Sequence, residues 1–379
     1  MKKFFLVTTS LFVVFLIFFL IYNFFFKNNP FDGKVPAVTI VENPTIEDDR
    51  TNDTQKAEMI IAPFVEEKAS SLSFNTETKS LFFLSPDERA LRETPTITGA
   101  PRTVITFPFT PQSIVWSPTG KRALVKQSAT QWTLFDRETT TLTMLKTGIE
   151  SPTWTTLGDK IVYKFYDPDT KKRTLTLANP DGSNWKVIGD ARFQFLETAT
   201  IPRSTSIAFW NRGNAFEKTS LSTVSTLDGS PKEIFTTTYG ADYRFSPNGE
   251  KILTSGTVEK GSSSLSLALM NIGGSGYQNL FIPTLVSKTT WSKSGRTLYY
   301  ALPGSIPTGS VLPNDYYEKP LLTSDTFWKM DTKTGESSRI VDTADITQSF
   351  DAQDFTLDDE ESTLFFVNRR DNKIYRIRL

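Results

Sequence analysis

From residue 58 onward, short apolar runs alternate with polar clusters, and no sustained helical period interrupts them. The stretch "DYRFSPNGEKILTSG" (242–256) shows the arrangement. An apolar run ends in an aromatic, a Ser-Pro-Asn-Gly turn follows, and a second apolar run begins. It returns as "SIVWSPTGKRALVKQ" (113–127) and "KTTWSKSGRTLYYAL" (288–302). In such a turn serine accepts at the first position, proline presets φ at the second, and glycine takes the positive φ at the end. The pattern predicts β-hairpins whose inner strand ends in an aromatic packed against a neighbouring unit.

Weaker copies fill the gaps. "LSFNTETKSLFFLS" (72–85), "SPTWTTLGDKIVYKF" (151–165), "RFQFLETATIPRSTSIAFW" (192–210) and "AQDFTLDDEESTLFFVN" (352–368) bring the count to seven. With Phe74, Trp116, Trp154, Phe195, Phe245, Trp291 and Phe355 as markers, the steps are 42, 38, 41, 50, 46 and 64 residues. The second half of each unit is again strand, polar turn, strand, as in "RTLTLANPDGSNWKVI" (173–188) and "LSTVSTLDGSPKEIF" (221–235). This spacing, with four short strands per unit, predicts an all-β, seven-bladed β-propeller over 58–379. The seventh unit runs out one strand short, so "EMIIAPFVEE" (58–67) is expected to complete it as the outer strand and close the ring.

The SPxG inner turn combined with a DGS outer turn resembles the WD40-like repeats of TolB-type β-propellers over about residues 70–379. The resemblance implies that loops between second and third strands share a face with the loops linking blades. The longest of them, "PGSIPTGSVLPNDYYEKPLLTS" (303–324), would then overhang the mouth of the central channel, beside 211–220 and 257–264. Its Asn314, Asp315, Tyr316 and Tyr317 are the candidate recognition residues.

The first residues differ in kind. Lys2 and Lys3 precede 23 residues, Phe4 to Phe26, without a charge. As a helix these would span roughly 34 Å, enough to cross a bilayer. The apolar run ends in Tyr22, Asn23 and three phenylalanines, which fit a signal-peptidase site poorly. The expectation is a membrane anchor (1–27) in contact with the lipid bilayer through residues 4–26, then a flexible tether (28–57). The flanking lysines place the N-terminus in the cytoplasm and the propeller on the outer side of the cytoplasmic membrane.

Composition removes several chemistries. Basic and acidic residues balance at 42 each, which argues against a nucleic-acid partner. Cysteine and histidine are both absent, so thiolate nucleophiles and His-assisted triads are excluded. The acidic run Asp358 to Glu361 lacks the alternating spacing of a calcium loop and reads as a solvated hairpin tip. Trp116, Trp154 and Trp291 recur at one blade position, as core residues do. No catalytic, cofactor or metal motif is recognisable. The expected function is therefore a non-enzymatic protein-binding or scaffolding module of the cell envelope. The alternative is a carboxylate-based, glycan-acting hydrolase, marked by two acidic side chains about 5–9.5 Å apart in a deep cleft.

Overall fold

The computed structural model describes residues 60–379 apart from Thr98, Ser305, Lys319 and Pro320. The anchor at 4–26 and the tether at 28–57 lie outside the described residues. Among those described, no helix is long and apolar enough to cross a membrane.

The described residues form seven four-stranded antiparallel sheets, each built in chain order from an inner to an outer strand. The inner strands are Ser70–Asn75, Ser113–Trp116, Ile149–Trp154, Leu196–Thr200, Tyr239–Phe245, Thr289–Trp291 and Ala352–Leu357, for blades one to seven. The seventh sheet takes its outer strand, Ile61–Val65, from the beginning of the described chain, with Ile61 opposite Ile377 and Val65 opposite Ile374. The ring closes as expected, and the outer edge of the last blade is covered.

The turn chemistry holds. The Gly249, Gly120 and Gly295 amides donate to the Ser246, Ser117 and Ser292 carbonyls at 2.8–2.9 Å. Gly249 has φ +74°, and a Cβ there would meet the Pro202 carbonyl oxygen at 2.2 Å, so this turn of blade five sits flush on blade four. Most of the core lies between blades. Trp154 of blade three is buried with Leu124 and Trp132 of blade two, and its indole Nε1 donates to the Val115 carbonyl at 2.9 Å. Burial of such a ring contributes about 1.5–3 kcal/mol, provided its N–H is satisfied.

Two of the seven markers are displaced. The marker at or one residue before the end of each inner strand pairs with the first or second position of the next strand, as Phe74 with Leu81 and Phe245 with Ile252. In blade four that residue is Thr200, opposite Ile207, and in blade seven it is Leu357, opposite Leu364. Phe195 precedes its strand and is exposed, while Phe355 is buried two residues early. With Thr200 and Leu357 the steps become 42, 38, 46, 45, 46 and 66 residues, and the last falls to 44 once the 22 residues 303–324 are set aside. An aromatic was the wrong guide where a threonine or leucine fills the same place.

Candidate active site

The corrected register aligns one column of the inner strands. Three residues before each marker so placed stand Ser71, Ser113, Ser151, Glu197, Asp242, Lys288 and Asp354. Blades one to three supply serine, and blades four to seven supply charge. The inner-strand ladder is irregular at this place in blades one, three, five and seven.

Asp242 is the unusual acid. Burial pushes its pKa up to about 6; the nearby Glu197 carboxylate adds to the rise, and the Tyr243 amide and Arg244 oppose it. Glu197 is held differently. Arg212 Nε donates to its Oε1 at 2.7 Å, and Ser151 Oγ donates to its Oε2 at 2.9 Å. Arg244 reaches across to blade six, donating to the Thr289 carbonyl at 2.6 Å, with the Asp242 and Asp354 charges close enough to act on it. Asp354 Oδ2 accepts the Ser71 amide at 2.9 Å, and burial raises its pKa as well. Two carboxyls therefore stand in neighbouring blades, one lifted by burial and one paired with arginine, and their environments push them apart.

The insertion folds over this charged side. It carries a short helix, α1 (Asn314–Glu318). Asn314 Oδ1 accepts the Ala215 amide of blade four at 2.8 Å, and the Leu312 amide donates to the Ser262 carbonyl of blade five at 3.2 Å. Pro313 rests on Gly240, which has φ +60° and where a Cβ would meet the proline ring at 2.4 Å. Asp315 turns inward, its Oδ2 accepting the Val311 amide at 3.0 Å. Tyr316 is buried, donates to Asp351 Oδ1 at 2.9 Å, and carries the Arg369 guanidinium 4.1 Å above its ring. Tyr317 is about half accessible, at 53%, and its hydroxyl lies 3.4 Å from Ser287 Oγ, within electrostatic reach of Asp242 and Arg244. Three of the four residues thus anchor the loop, and Tyr317 borders the acid.

Beneath α1 a dry ion cluster locks the loop down. Lys288 Nζ, fully buried, donates to Asp325 Oδ2 and Asp351 Oδ1, both at 2.6 Å, and to Thr323 Oγ1 at 2.9 Å. Arg369 adds a second cation on Asp351 Oδ2 at 3.1 Å. Burial favours the neutral form of Asp351, but Lys288 and Arg369 outweigh it and hold this carboxyl below its ordinary range. With two cations for two carboxylates and the Lys288 ammonium fully hydrogen-bonded, the cluster is a clamp, not a reactive centre.

Beyond Glu197, over blades two to four, a cavity of about 590 Å³ opens beside the channel, with Glu150, Lys164, Arg173, Phe195 and Arg212 in its lining. The sequence reading missed Glu197, Asp242, Arg244 and Asp354. The signal that would have found them is the column itself, once the seven repeats are aligned without insisting on an aromatic.

No family model and no curated protein matches the chain. Solved structures do. An oligogalacturonate lyase from Vibrio parahaemolyticus is 12% identical, with 84% of this chain and 93% of that chain covered and a TM-score of 0.58. An oligogalacturonate lyase in complex with manganese is 13% identical, with 83% and 89% covered and a TM-score of 0.57. A TolB-like propeller from Agrobacterium tumefaciens is 14% identical, with 72% and 88% covered and a TM-score of 0.46. At these identities the likeness establishes the fold. The expectation of a non-enzymatic binding module is corrected by it, because lyases stand among the proteins built on this ring and favour the glycan-acting alternative. Manganese finds no matching donor set here. The chain has no histidine, and among the described residues no group of three or more acidic side chains could hold a metal ion.

Proposed function

We propose that this chain is a glycan-acting enzyme whose acid–base pair is Asp242 and Glu197 at the channel mouth. The observation that carries the reading is that one position of two adjacent inner strands holds Glu197, fixed by Arg212 and Ser151, and Asp242, whose pKa burial lifts to about 6. The protonated Asp242 donates to the glycosidic oxygen as the bond breaks, and Glu197 serves the opposite side of the sugar, with water entering the product. Arg244 and Tyr317 flank the acid and orient the substrate. The fold shared with oligogalacturonate lyases supports a carbohydrate substrate, and the side chains present support a reaction run by carboxylates.

The test is product analysis by mass spectrometry on a panel of neutral and charged oligosaccharides. Hydrolysis adds the mass of one water across the two products, and elimination does not. Asp242→Asn and Glu197→Gln should each lower turnover by about 10²–10⁴-fold. Turnover that survives both substitutions unchanged, or elimination products alone, would overturn the assignment.

A further inference from the structure

We infer that the cleft over blades two to four is a subsite for a negatively charged sugar unit, so that the chain selects anionic over neutral glycans. The inference rests on the glycan-acting reading for its choice of ligand class, and on the cleft's own chemistry for the rest.

Four cations, Lys126, Lys164, Arg173 and Arg212, line the cavity against two carboxylates, Glu150 and Glu197. Two of the four are already matched. Lys164 Nζ donates to Glu150 Oε2 at 2.6 Å and also to the Gln194 carbonyl, and Arg212 holds Glu197. Lys126 and Arg173 have no acidic partner among the described residues. Arg173 Cζ sits over the Tyr166 ring, 4.9 Å from its centroid, a contact that uses none of its N–H groups on a carboxylate. Unmatched cations on the wall of a concave, partly desolvated site repel each other and focus a positive potential into it. An anion relieves that cost.

The remaining lining suits a sugar ring. Phe195 is 59% exposed and borders the cleft, with Arg212 6.0 Å from its ring centroid. A large apolar face in water is what the C–H face of a pyranose packs against. Glu197 belongs both to this cleft and to the channel pair, so a chain bound in the cleft runs directly to the acid. Its volume of about 590 Å³ suits a ligand of a few sugar rings. A carboxylate, a sulfate or a phosphate on the ring would supply the same charge.

The experiment is titration calorimetry on the Asp242→Asn full chain, which removes turnover, with three probes: an oligogalacturonate, a sulfated oligosaccharide and a neutral cello-oligosaccharide. The anionic probes should bind at least tenfold more tightly than the neutral one, and more weakly as salt is raised. If only oligogalacturonate binds, the charge read is a carboxylate; if both anionic probes bind, it is charge alone. Lys126→Met with Arg173→Met should cut anionic binding at least tenfold, whereas Lys186→Met, on an exposed outer strand, should leave it intact. Equal affinity for the neutral probe, or undiminished binding by a double variant whose melting temperature is normal, overturns the subsite. Anionic binding without any turnover by the unmutated chain would keep the subsite and remove the acid–base reading. Turnover of neutral glycans with no preference for charge would do the reverse.

Discussion

The two sides of the ring use one scaffold in opposite ways. Blades one to three place Ser71, Ser113 and Ser151 in the column, and the open cleft begins there. Blades four to six place Glu197, Asp242 and Lys288, followed by Asp354 in blade seven, and the insertion is anchored to all four of these blades. Hairpin turns and inter-blade packing are alike on both sides, so they do not explain the contrast. What differs is one side chain per blade at the same place of the repeat, serine in blades one to three and a charged residue in blades four to seven. The ring supplies seven equivalent positions, and chemistry needs only a few of them charged.

The largest effect should come from the clamp. Lys288→Ala leaves Asp325 and Asp351 buried with one cation gone, and should cost about 3–5 kcal/mol in denaturant unfolding. A loss under about 1 kcal/mol would mean that the charged side is wet and the contrast between the sides is shallow. Asp242→Asn should act on the other quantity. It keeps the shape, removes a carboxyl that burial disfavours when ionised, and should leave the folded state at neutral pH as stable or more so while turnover falls. A variant that loses stability and activity together would make Asp242 a structural residue.

How much of this was legible follows from what each level of structure asks of its residues. A turn closed by proline and glycine, or a strand with an aromatic at its end, constrains residue type strongly, so the blade count and the outer strand Ile61–Val65 could be read from the chain. The site asks for almost nothing local. Glu197 and Asp242 come within electrostatic reach of each other only because two blades are neighbours, and "FLETAT" and "GADYRF" look like ordinary half-buried strands. Phe195 shows how the reading slipped: it was a plausible inner aromatic, and choosing it moved Glu197 out of the column. The YY pair was visible, but its division of labour was not, because only the ring places Arg369 over Tyr316 and leaves Tyr317 beside the acid.

The pH dependence should be smaller than either substitution. Asp242 ionises near 3.8 when unfolded and about 6 when folded, so between those values the unfolded chain has lost a proton that the folded chain still holds. Its contribution to stability is complete below the lower value and is lost as pH rises through the upper one, an effect of at most about 3 kcal/mol. Asp354 shifts in the same direction. Thermal unfolding from pH 4 to pH 7 should show the decline, and Asp242→Asn should flatten it. Activity should fall over the upper part of the same window, since the acid must hold its proton.

The smallest effect belongs to the serine side, and it sharpens the comparison most. Ser71 stands in the same column as Asp242, yet it serves the site through its backbone: the amide donates to Asp354 Oδ2, and φ is +57°. Ser71→Ala keeps both features and should change stability by less than about 0.5 kcal/mol, with turnover within twofold. Ser71→Pro removes the amide proton and forbids the positive φ, so it should cost several-fold more and free Asp354 from its donor. A large loss from the alanine variant would show that the hydroxyl itself carries weight, and the division of the ring into a chemical half and a scaffolding half would have to be redrawn.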